Sequence, residues 1–226
     1  EIPWQVSLRV SVNDKLIHFC EGAIISPSFV LTAVHCFHEY RYTHVKVYSG
    51  GVELGSAGGT GSEIEWFKSH EDQHDSKIEN DITLIKLVKP LVFSERTRPV
   101  CLPNIHMATD TLVGHRAQMS AWEASYSPEL SFTLRKYPVS VTSTRDCAPK
   151  HEENSTMCIY ESGRVCTRNV KYPGGPVTIT RASYSYLIGV IPYHECYHPQ
   201  YPMVVAPITS HLDWIRTHTE GDFCTK

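Results

Sequence analysis

The feature that most constrains this chain is a recurrence of short strand-like runs, each closed by turn residues, at intervals of about 8–12 residues. Residues 5–10, 23–25, 29–32, 45–48, 64–67 and 82–87 are such runs in the first half. Residues 117–121, 134–141, 177–180, 186–191 and 203–206 repeat the pattern in the second half. This texture predicts an all-β protein of the sandwich or barrel kind. Only the last stretch reads as a helix, with Leu212 and Ile215 on one face, Trp214 beside them, and Thr209 and Ser210 placed to cap it. Residues 50–62 are rich in glycine and serine and nearly uncharged, which predicts a long flexible hairpin loop. Glu53 is its one carboxylate, with Glu63 just beyond it, and two carboxylates are too few for a calcium cage. Residues 89–103 read as the crossing between the two halves.

Composition narrows the function classes. Apolar residues make up 41% and charged residues 20%, enough of each for a globular core with a solvated surface. A net charge of −3 excludes the broad basic field that nucleic-acid binding needs. No apolar run approaches the length of a membrane span, so no membrane partner is expected. The chain opens inside what reads as a strand, which predicts that a segment precedes it in the precursor. Eight cysteines, an even number without CxxC spacing, predict disulfides and an oxidising, extracellular compartment. Their spacing alone leaves the pairing open. Thirteen histidines are scattered without ligand spacing, and His70 and His74 sit in a polar loop, so neither a metal nor another cofactor is expected. Asn154-Ser155-Thr156 is a candidate N-glycosylation triplet, read as a surface loop or as a chance match.

Three stretches carry chemistry. They are Leu31-Thr32-Ala33-Val34-His35-Cys36, then Asn80-Asp81 leading to Leu87, then residues 166–176, which end in Gly174-Gly175-Pro176. In this order they resemble the His, Asp and Ser motifs of trypsin-like serine proteases. Pro3-Trp4-Gln5 resembles that family's first barrel strand, Pro99-Val100-Cys101-Leu102-Pro103 its linker, and Ser120-Ala121-Trp122-Glu123 a degraded Ser-Gly-Trp-Gly. The resemblance covers nearly the whole chain. It implies two six-stranded antiparallel β-barrels with a C-terminal helix, in one trypsin-like domain. The N-terminal barrel would span residues 1–99, the C-terminal barrel 100–208, and the helix 209–219. It also implies the pairs Cys20–Cys36, Cys147–Cys158 and Cys166–Cys196. Cys101 and Cys224 are then left for each other, or one of them for a segment before residue 1.

The chain departs from the family pattern at several positions. Pro173 stands at the nucleophile position, and proline has neither a hydroxyl nor a backbone N–H. Lys171 and Tyr172 replace the residues of the oxyanion loop and the activation carboxylate, in a segment three residues longer than the family's. Arg164, Ile191, Pro192, Tyr193 and Met203 fall where the resemblance places the substrate pocket, and are expected to fill it. Arg164 and Lys171, with Arg168, form either a basic contact patch or a solvated loop. His35 and Asp81 are then either a vestigial pair that helps join the barrels, or a base and orienter serving another nucleophile. On these departures the expectation is a degenerate serine protease, no enzyme, acting by binding. The loss pattern resembles the scabies mite inactivated serine protease paralogues, related to the mite group 3 allergens. That likeness implies a secreted protein that binds host defence proteins, complement components among them, and inhibits complement; the chain itself is expected to be a monomer. Two alternatives stand beside it, a cofactor or decoy for the organism's own proteases and a residual hydrolase.

Overall fold

Each half of the strand pattern closes on itself. The computed structural model describes residues 2–37, 44–54, 58–74, 79–104, 107, 112–124, 132–147, 156–160, 173–192 and 202–226. In the first half, β1 (Gln5–Val12), β2 (Lys15–Ile24), β3 (Phe29–Thr32), β4 (Val45–Ser49), β5 (Thr60–Ser69) and β6 (Thr83–Leu87) form a closed barrel in the order β1-β2-β3-β6-β5-β4. In the second half, β7 (Arg116–Ala124), β8 (Phe132–Thr142), β9 (Met157–Tyr160), β10 (Pro176–Arg181), β11 (Tyr184–Val190) and β12 (Met203–Pro207) close in the order β10-β11-β12-β9-β8-β7. Neighbouring strands run antiparallel, as expected of two six-stranded barrels. The helix Leu212–Thr219 follows.

Local sequence explains the tight connections. Asn13 and Asp14 join β1 to β2 with φ of 49° and 60°. Two consecutive left-handed residues match the right-handed twist of a hairpin, and Asn and Asp tolerate them best. Ala182 and Ser183 make the same turn between β10 and β11, although their side chains favour it less. β1 shows how the halves meet. Val6, Leu8 and Val10 are buried with the first core. The alternate residues Gln5, Ser7 and Arg9 are also buried, so the other face of the strand meets protein rather than water.

Three expectations need correction. Residues 60–62 belong to β5, and Val52 and Leu54 are tied down. Leu54 N–H bonds Phe132 O at 3.1 Å and Leu134 N–H bonds Val52 O at 2.9 Å, which fastens the first barrel to β8 of the second. Strand β9 has no counterpart among the runs predicted from the sequence. Thr209 and Ser210 form a 3-10 turn with His211, and the helix starts from His211 with no side-chain cap bond. Disulfides join Cys20 to Cys36 and Cys101 to Cys224, and Cys158 is also disulfide-bonded. Among the described residues, no helix is long and apolar enough to cross a membrane.

Candidate active site

Strand pairing brings the first two motifs together. β3 ends at Thr32, which lies opposite Thr83 at the start of β6. A 3-10 turn, Val34–Phe37, leaves the end of β3, while Asp81 precedes β6. The carboxylate of Asp81 is fully buried, and His35 keeps 13% of its side chain exposed. Asp81 Oδ1 accepts the Val34 N–H at 2.6 Å and the His35 N–H at 3.2 Å. Oδ2 faces His35 Nδ1 at 2.9 Å. A carboxylate that only accepts fixes the proton on Nδ1 and leaves Nε2 as the basic nitrogen. The backbone bonds prevent the carboxylate from rotating away, so the ring is oriented through its partner.

The third motif is fastened from two sides. Pro173 is buried, and its carbonyl accepts the Glu21 N–H at 2.8 Å. Gly174 N–H donates to Ile191 O at 2.7 Å, and Ile191 N–H donates to Gly175 O at 2.9 Å. Gly174 has φ of 92°, which glycine alone adopts without strain.

Beneath this turn lies a buried polar cluster joining the barrels. Glu21 is fully buried on β2. Its Oε1 accepts the Trp122 N–H of β7 at 2.8 Å, and its Oε2 accepts Gln5 Nε2 at 2.7 Å. Ser120 Oγ donates to Gln5 Oε1 at 2.7 Å. His18 Nε2 lies 3.9 Å from Glu21 Oε1, while His18 Nδ1 is 2.8 Å from Ser7 Oγ, which accepts Arg9 Nε–H at 2.9 Å. Burial pushes the Glu21 carboxyl well above the carboxylate range, against the hydrogen bonds from Trp122 and Gln5. Burial, with Arg9 nearby, pushes His18 down to about 3, so this ring is neutral.

The raised Glu21 value has a consequence for stability. The folded state holds this proton more tightly than the unfolded state does. Its contribution is therefore fully present below the unfolded carboxyl value and is lost as pH rises through the folded value. Glu21→Gln removes the titration, with Gln5 turning its amide to receive the new N–H. The variant is expected to match wild type in urea at acid pH and to exceed it at neutral pH. Urea midpoints across that range check this, and parallel pH profiles for the two proteins would refute it.

The family model described as Trypsin matches residues 1–215. The chain belongs to the trypsin family. It is 28% identical over 222 residues to trypsin alpha of Drosophila melanogaster, covering 94% of this chain and 81% of the relative. It is 26% identical over 235 residues to trypsin-1 of Astacus astacus, covering 96% and 95%. A venom protease of Bombus pensylvanicus is 32% identical over 205 residues, covering 86% and 83%.

These relatives overturn one expectation from the sequence, that the chain is a degenerate protease and no enzyme. The relatives it matches are named as trypsins or a protease, and His35 and Asp81 are joined rather than dispersed. The expectation rested on departures at several positions, of which Arg164, Lys171, Tyr172 and Tyr193 lie outside the described residues. Proline removes a hydroxyl at residue 173 but leaves His35, Asp81 and the Gly174-Gly175 turn assembled.

The other residues singled out from the sequence fall in different places. Ile191 and Met203 lie in the buried core of the second barrel, where Met203 opens β12 opposite Ile159. Pro192 is buried just beyond β11. Arg164, Arg168, Lys171, Tyr172, Tyr193, Asn154, Cys166 and Cys196 lie outside the described residues, as does the side chain of Cys147. Sequence reasoning missed Glu21. The signal was present as a lone acid between Cys20 and the apolar run Gly22-Ala23-Ile24-Ile25.

Proposed function

We propose that the chain is a secreted trypsin-family hydrolase of peptide or ester bonds, with His35 as general base, Asp81 as its orienter and water as the nucleophile. The observation that carries this reading is the 2.9 Å bond between His35 Nδ1 and Asp81 Oδ2. Water is the nucleophile because Pro173 has no hydroxyl. In the step, Nε2 takes a proton from water as its oxygen bonds to the carbonyl carbon. The same proton then passes to the leaving amine or alcohol as the scissile bond breaks. No covalent acyl-enzyme forms. Formed disulfides support the extracellular setting.

The test is a panel of peptide amides and esters with the full disulfide-bonded chain. His35→Ala is expected to lower turnover by about 100-fold or more, and a serine-directed covalent probe is expected to leave the chain unlabelled. Turnover unchanged in the variant, turnover absent from both proteins, or stoichiometric labelling of a serine would each overturn the reading.

The likeness to the scabies mite paralogues favours a second reading about partners, namely host complement proteins bound by this chain. Capture of complement components from host plasma, with reduced complement lysis, supports it. Capture instead of proteases from the organism's own fluids would replace it with the cofactor or decoy role.

A further inference from the structure

The C-terminal segment reaches the site through a side chain that the proposed chemistry does not use. His211 ends the 3-10 turn Thr209–His211, and 2% of it is exposed. Its Nδ1 lies 2.6 Å from Pro207 O, and its Nε2 lies 3.1 Å from Asn80 Oδ1. Both partners are carbonyl oxygens, which only accept, so both ring nitrogens must donate. Only the protonated imidazole has two N–H groups. In this orientation the Asn80 amide also donates its Nδ2 to Asp72 O at 3.4 Å, a bond that turning the amide over would give up.

Asn80 immediately precedes Asp81 and sits at φ of 57°. Its carbonyl accepts the Ile82 N–H at 2.7 Å, so the backbone closes tightly around Asp81. Ile82 O accepts the His70 N–H at 3.0 Å, which holds the same turn. The direction of the Asp81 carboxylate therefore depends on how firmly Asn80 is held.

We propose that His211 is a positioning residue for the His35–Asp81 pair, and that its protonation clamps Asn80 and with it the turn that aims the Asp81 carboxylate. The proposal rests on the reading of that pair as base and orienter. In the charged form, His211 holds Pro207 and Asn80 at once. In the neutral form, Nδ1 keeps Pro207 and the Nε2 lone pair meets Asn80 Oδ1, so the clamp opens. Burial lowers the His211 pKa from the ordinary histidine range, the bond to Pro207 O opposes this, and the neighbouring His70 adds to the lowering. The clamp therefore closes in acid and opens as pH rises.

The groups around His211 divide in sign. His70 meets it edge-on at 5.2 Å, and burial lowers the pKa of His70 against the pull of Glu71 and Asp72. Glu71 accepts Trp214 Nε1–H at 2.8 Å. On the helix, His218 packs on Trp214 at 4.8 Å, and Asp213 pairs with Arg216 at 3.4 Å. Asp81 is the charge next in sequence to the clamped residue.

The test follows the His35 ring by NMR across pH in the full chain, which requires no turnover. In wild type, His35 is expected to move in two steps, its own and a smaller one shared with His211. His211→Phe is expected to remove the shared step and keep the other. Asn80→Gly, which suits the positive φ, is expected to uncouple the two rings while His211 still titrates, and it carries the test if His211→Phe does not fold. Identical His35 titrations in wild type and in the folded variants would overturn the proposal. A chain that hydrolyses nothing would refute the hydrolytic reading and leave this measurement intact.

Discussion

Gly174→Ala is expected to destabilise the protein by about 4 kcal/mol or more, in the range that only exceptional single substitutions reach. Two effects combine. The φ of 92° strains any residue with a Cβ. The added Cβ would also overlap Glu21 O and Thr32 Oγ1. Neither neighbour can give way. Thr32 Oγ1 donates to Glu21 O at 2.6 Å, and Glu21 N–H donates to Pro173 O at 2.8 Å, so β2, β3 and the turn are fastened to one another. Gly114 provides the control, with φ of 83° and nothing within 4 Å of where a Cβ would stand. Gly114→Ala should show the backbone strain alone, about 1 kcal/mol. Urea unfolding of the two variants separates the effects. A Gly174→Ala loss no larger than that of Gly114→Ala would mean that the turn can move, and that the contact with Glu21 does not hold it.

The same contact marks where the sequence could be read and where it could not. Strands whose aliphatic residues recur between turn residues, such as β3, β6 and β11, are visible because burial imposes the pattern. Strand β9 is four residues, Met157–Tyr160, with Ile159 as its one β-branched residue, so it lacks the aliphatic run that marks the equally short and buried β3. The tie between residues 52–54 and β8 is made of backbone bonds, which depend on the path of the chain and not on side-chain type.

His35 and Asp81 could be found as motifs, but their meeting depends on Thr32 pairing with Thr83 across two strands. Glu21 and His211 carry no such signature. A lone acid before an apolar run and a lone histidine before a helix acquire meaning only from the second barrel and from Asn80. Pro173 shows the opposite hazard. Its missing hydroxyl and the other departures from the family pattern are plain in the sequence, but they do not outweigh a likeness that runs through residues 1–215.

Opening the Cys101–Cys224 disulfide, by replacing both cysteines with alanine, is expected to cost about 4–5 kcal/mol. The bond closes a loop with a sequence separation of 123, against 16 for Cys20–Cys36. In the chain-entropy account, a loop of that greater length restricts the unfolded state by roughly 1–2 kcal/mol more than the short one does. Its place in the fold points the same way. Cys101 N–H bonds Ser185 O at 3.1 Å, and Leu187 N–H bonds Cys101 O at 2.8 Å, so one half of the bridge is stitched to β11 of the second barrel. Cys224 N–H bonds Ile25 O at 3.1 Å, which anchors the other half to the first barrel. The disulfide thus holds the tail that follows the helix against both barrels. The helix is bounded by His211 at one end and by this tail at the other, so the loss should also loosen Asn80 and the Asp81 turn. Unfolding in urea is expected to rank the Cys101–Cys224 variant below one lacking Cys20–Cys36, and the His35 NMR signal is expected to broaden in the first more than in the second. The reverse order in both measurements would place the restraint on Asp81 within the first barrel, where Val34, His35 and Cys36 share one short turn.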